Sequence, residues 1–83
     1  MELAEIVMNP AQQRIFQYFL PHETGTDKEI RKALPDIPIA SLYRHIKILA
    51  DSSILMVVGE NRIRGTVESV YQLNEVYVRT LWR

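Results

Sequence analysis

Residues 39–51 read IASLYRHIKILAD, and no other stretch limits the fold as strongly. At 100° per residue, Ile39, Leu42, Ile46 and Leu49 gather within an arc of about 80°. Ala40, Arg44 and Lys47 fall on the opposite side, with Ser41 and Tyr43 on its flanks. One face suits a core and the other presents two cations, a hydroxyl and a phenol. The pattern predicts a helix that docks inward and reaches outward.

The segments before it predict two further helices. Asn9-Pro10 is a helix start, since Asn caps and proline at the first helical position gives up no needed donor. Ile15, Phe16, Phe19 and Leu20 then recur at helical spacing until Pro21, which predicts a first helix over about 10–20. Residues 2–8 read as a short apolar lead-in. His22, Glu23, Thr24 and Gly25 form a connector. Thr26 and Glu29 have the spacing of a capping box, opening a second helix over about 27–34 with Ile30, Ala33 and Leu34 inward. Pro35 stops it. Asp36-Ile37-Pro38 leaves a tight turn into 39–51, the helix-turn-helix arrangement in which the second helix of the pair is presented to a groove.

After the break at Asp51-Ser52-Ser53, residues 54–58 are apolar and rich in β-branched side chains, as a strand requires. Residues 59–65 hold two glycines and read as a hairpin tip of about five residues. Residues 66–73 return as the second strand, with Val67, Ser69, Tyr71 and Leu73 on one face. Asn74 then caps a last helix, 75–83, whose apolar stripe of Tyr77, Val78, Leu81 and Trp82 needs a partner. The expected fold class is α+β, mostly α: three helices, a two-stranded hairpin and a C-terminal helix. The 83 residues form one domain with its core at 9–74 and the start of a dimerisation helix at 75–83.

Composition narrows the chemistry. The chain has no cysteine, which excludes disulfides, thiolate zinc sites and cysteine nucleophiles. Its two histidines cannot close a metal site without acidic or water ligands. No cofactor is expected. The acidic opening MELAEIVMNP and the absence of a long apolar run predict no secretory signal, no membrane span and a cytoplasmic location. Net charge is zero, but it is unevenly spread. Residues 38–66 carry Arg44, Lys47, Arg62 and Arg64 against Asp51 and Glu60, a local excess of two positive charges that coincides with the central helix and the hairpin.

The residues also resemble a known family. Ser41-Leu-Tyr-Arg-His-Ile-Lys-Ile-Leu49 is similar to the S-x-x-R-H-L-K-x-L recognition-helix pattern of ArsR-type bacterial repressors. Asn9-Pro-Ala-Gln-Gln-Arg-Ile15 resembles their first-helix opening, with the Arg one residue later than in the commonest form. Arg62-Ile-Arg-Gly65 and Glu68-Ser-Val-Tyr71 resemble the wing of a subgroup in which R-x-R-G precedes a strand ending in Y-x-L. The resemblance covers about 9–74. It implies a winged helix-turn-helix fold and a homodimeric transcriptional regulator, a repressor, that binds double-stranded DNA. The third helix would enter the major groove and the wing would lie on the backbone or minor groove. The family's metal-sensing branch uses cysteine thiolates, which this chain lacks. Many relatives carry a longer part after the wing, so a chain ending at Arg83 is expected to be a fragment or a minimal regulator.

The candidate DNA-binding residues are Ser41, Tyr43, Arg44, Lys47, Arg62 and Arg64. Arg44 at mid-face suits the two major-groove acceptors of guanine, and Lys47 one turn on suits a phosphate. Ser41 and Tyr43 suit a phosphate or a thymine methyl. Against these stand plainer readings: a first-turn hydroxyl for Ser41, edge packing for Tyr43, solvated charge for Arg44 and Lys47. Arg62 and Arg64, alternating about Ile63, suit a phosphate strand or minor groove, or simply keep the hairpin soluble. Lys28, Arg31 and Lys32 are supporting backbone contacts or ordinary surface. His45 reads as a satisfied histidine at the core edge, and His22 as a loop residue with no activating neighbour. No glycine-rich elbow, phosphate loop or paired-carboxylate motif is present, and no enzymatic activity is expected. The zero net charge leaves a second reading open, a winged-helix module that binds protein and no DNA.

Overall fold

The computed structural model describes residues 9–81, with the side chain of Leu81 excluded; the lead-in at 2–8 and Trp82 of the terminal stripe lie outside the described residues. Within them the elements are α1 (Pro10–Tyr18), β1 (Thr24–Thr26), α2 (Asp27–Ala33), α3 (Ile39–Asp51), β2 (Leu55–Ile63), β3 (Thr66–Leu73) and α4 (Glu75–Leu81).

The helix ends form for the reasons the sequence supplies. The Asn9 side chain accepts from the backbone N–H groups of Ala11 and Gln12 at 3.1 and 3.2 Å. Thr26 and Glu29 close a capping box, each side chain accepting the other's backbone N–H at 3.1 and 3.0 Å. Helix α3 ends in a Schellman motif. The Ile54 N–H donates to Leu49 O at 3.0 Å and the Ser53 N–H to Ala50 O at 3.1 Å. Ser53 takes the left-handed position, φ 66°, that glycine usually fills. This cap drops Ile54 back onto the core one residue before β2 begins.

One core joins the elements. Helix α1 supplies Ile15 and Phe19, α2 and its exit supply Ile30 and Leu34, and the turn supplies Ile37. Leu42, Ile46 and Leu49 of α3 are at most 2% exposed. Ile54, Leu55 and Leu73 close the core from the base of the hairpin.

Four expectations need correction. Ile39, placed on the inward arc of α3, is 52% exposed. Side chains on a helix tilt toward its N-terminus, so the side chain of the first residue projects past the end of the core. Ala33, expected to face inward on α2, is exposed: the core takes Ile30 and Leu34, and at 100° per residue Ala33 lies about 60° and about 100° round the helix from them, off the buried stripe. The sheet has three strands rather than two, in the antiparallel order β1-β3-β2. Thr24, Gly25 and Thr26 of the expected connector pair with Gln72, Tyr71 and Val70. Gly25 leaves room there for the Tyr18 ring: a Cβ would lie 2.7 Å from Tyr18 Cε1, and the ring would have to shift. Finally, the tip is much tighter than residues 59–65. Pairing continues to Ile63 opposite Thr66, leaving a two-residue turn of Arg64 (φ 51°) and Gly65 (φ 81°), the backbone of a type I′ hairpin. A bulge at Val58, between the pairs Val57–Tyr71 and Gly59–Val70, increases the twist above the base.

Candidate nucleic-acid interface

Burial of Leu42, Ile46 and Leu49 turns the rest of α3 outward. Ala40, Arg44 and Lys47 are exposed, and Tyr43 is 40% exposed. Ser41 is half-buried at the side, and no side chain caps the start of the helix. The outward face therefore runs from apolar side chains at its N-terminal end to cations in its middle.

Two polar contacts hold α3 in place. Gln12 of α1, only 4% exposed, meets His45 Nδ1 through its Nε2 at 3.0 Å. This satisfies the histidine at the core edge, as its position on the helix predicts. Burial, and then the neighbouring Arg44 charge, push the His45 imidazole below its ordinary range. The second contact is missing from the sequence reading. Arg14 of α1 grips Asp36 with both terminal nitrogens, one of them 3.0 Å from Asp36 Oδ1. The pair ties α1 to the turn that sets the angle between α2 and α3. Its hydrogen bonds hold the Asp36 carboxyl below the usual range. Residues 22 apart on different elements give no local signal of such a pair.

The hairpin places Arg62 in β2 opposite Val67, and Arg64 at the first turn position. Both are exposed. The two candidates thus occupy different backbone settings rather than one flexible tip. Lys28 and Lys32 of α2 line a cleft of about 330 Å³ against Asn61, Ile63 and Glu68 of the hairpin. Asp27, at the start of α2, has one buried carboxylate oxygen without a hydrogen-bond partner; desolvation, with Glu68 repulsion adding to it, raises its pKa. His22 stacks on Tyr18 at 4.2 Å and bonds the Tyr18 carbonyl, a structural contact. In α4, Tyr77 and Val78 are half-buried against the chain's own core, while Val76 is 76% exposed.

Three helices with the third presented outward, followed by an antiparallel hairpin, make a winged helix-turn-helix domain. A family model described as a helix-turn-helix domain matches residues 7–58, a span that takes in α1, β1, α2 and α3 and runs into β2, and the chain belongs to that family. No curated protein matches the chain. Helix-turn-helix domains are typically DNA-binding and non-enzymatic, so fold and family together suggest a DNA-binding regulator. Among the described residues no helix is long and apolar enough to cross a membrane.

Proposed function

We propose that this chain is a sequence-specific, double-stranded-DNA-binding transcriptional regulator of the ArsR-like type, acting as a cytoplasmic homodimeric repressor. The observation that carries the reading is the outward face of α3. Arg44 and Lys47 are exposed on the side opposite three fully packed aliphatic residues, with Tyr43 exposed on its flank. In this reading Arg44 pairs with guanine in the major groove, while Ser41, Tyr43 and Lys47 contact the adjoining backbone or bases. Arg62 and Arg64 of the wing meet a phosphate strand or the minor groove.

Two copies place two α3 helices in successive major grooves, about 34–36 Å apart on a roughly palindromic site. The proposed dimer element is α4 with the residues after it. Beside it lies an open cleft of about 340 Å³ lined by Phe16, Leu20, Leu73 and Val78 and rimmed by Glu75 and Arg79. Tyr77, Val78, Leu81 and Trp82 are its candidate contacts. Sedimentation velocity on the full chain and on Trp82→Ala tests this, with a shift toward monomer expected in the variant.

A salt titration on duplex DNA tests the whole reading. Lys47, Arg62 and Arg64, each neutralising one phosphate, give a log–log slope of about −2.7 per protomer and about −5 per dimer. The exposed apolar residues of the wing (Met56, Val57, Val58 and Val67, between 40% and 56% exposed) favour the alternative, a module that binds protein alone. That alternative predicts no duplex binding even at low salt.

A further inference from the structure

We propose that Ile39 reads the 5-methyl group of a thymine in each half-site, an inference that rests on the DNA-binding reading above. Ile39 is the first residue of α3 and is 52% exposed, whereas Leu42, which shares its arc, is fully buried. Ala40 and Tyr43 continue the exposed surface, and Arg44 and Lys47 complete it. The N-terminal residues of a recognition helix are the ones that reach base edges. A branched aliphatic side chain has no hydrogen bond to offer there. The thymine methyl is the one apolar group a base pair shows in the major groove, and it is the matching contact.

The cations farther round the exposed arc decide the occupant. At 100° per residue Lys47 lies about 80° and Arg44 about 140° from Ile39, with Tyr43 between, so a partner that spans the arc meets both charges as well as the aliphatic edge, and DNA offers a complement to each. Spacing makes the inference specific. Five residues separate Ile39 from Arg44, about 7.5 Å along the helix at 1.5 Å per residue. For a helix lying along the groove, that is about two base-pair steps at 3.4 Å. The thymine therefore stands about two base pairs from the guanine assigned to Arg44.

The test begins with a duplex selected from a random pool by the full chain. Each thymine is then replaced singly by deoxyuridine, which removes only the methyl. Wild type is expected to lose affinity by about fourfold at one thymine per half-site, the effect of one buried carbon group. Ile39→Ala, whose exposed position leaves folding intact by thermal melt, loses about as much on the thymine duplex and becomes indifferent to that methyl. Ile39→Val keeps the methyl effect, and Tyr43→Ala lowers affinity without abolishing it. If wild type and Ile39→Ala respond alike at every thymine while duplex binding persists, this inference falls and the DNA-binding reading stands. If no duplex is bound under any condition, both fall together.

Discussion

Leu49→Ala is the sharpest test of which face of α3 holds the fold. Leu49 is completely buried, and its carbonyl receives the Ile54 N–H that closes the helix. Truncation to alanine removes three carbon groups, about 2.4 kcal/mol of transfer free energy at about 0.8 each. The cavity left behind raises the total to about 3–5 kcal/mol, because Ile46, Ile54 and Leu55 are themselves packed and relax only partly. Domains of this size melt about 4–8 °C lower per kcal/mol lost, so the midpoint falls by more than about 10 °C. The paired control is Ile39→Ala on the same helix. It removes as many carbons from a half-exposed position and costs less than about 0.5 kcal/mol. Urea and thermal unfolding of both variants decide the matter. Equal losses from the two would refute the assignment of faces, and an unchanged midpoint in Leu49→Ala would refute the packing argument itself.

Arg44→Ala is expected to cost about 1–3 kcal/mol on a selected site and relax preference at one base per half-site, whereas Arg44→Lys keeps non-specific affinity and loses discrimination; equal losses on every sequence would make it a phosphate contact. Arg62→Ala with Arg64→Ala should weaken binding to all duplexes alike and shrink the salt slope by about one to two units per protomer, which a titration series measures directly. His45 sets a pH dependence. Its folded pKa lies below the unfolded value near 6.5, so the unfolded chain takes up the proton first and stability falls as pH drops from about 6.5 through the folded value. Melts across this range should show the fall, and His45→Gln should remove its share. Ser53→Gly should raise stability by about 0.5–1 kcal/mol, since the left-handed strain at φ 66° outweighs the added freedom of the unfolded chain; a lower midpoint would contradict the strain.

Local chemistry was legible in the sequence where a few adjacent residues decide the outcome. The bounds of α3 at 39 and 51, the Asn9 cap and the Thr26–Glu29 box each rest on contacts within one or two turns, and all are present. The exposed placement of Arg44 and Lys47 follows from the same periodicity. What escaped depends on partners distant in the chain. Thr24-Gly25-Thr26 is too short for a period-two pattern and becomes a strand only because β3 offers an open edge. Ile39 obeys the angle of the apolar face but lies beyond the end of the core, which an angle alone does not report. The Arg14–Asp36 pair required knowledge of how α1 crosses the turn.

The two-residue turn at Arg64 and Gly65 has a consequence for how such a protein changes over generations. A Cβ at Gly65 would touch nothing within 4 Å, so only its φ of 81° bars a side chain there, and below the turn cross-strand pairs run from Ile63–Thr66 down to Leu55–Leu73. Residues inserted there meet only solvent, and once the loop is long enough to be flexible each further doubling of its length costs only about 0.6 kcal/mol. The reach of the hairpin can therefore drift, lengthen or acquire new charge while the packed base stays as it is. Descendants of one scaffold can diverge in what they touch at this end without renegotiating how they fold.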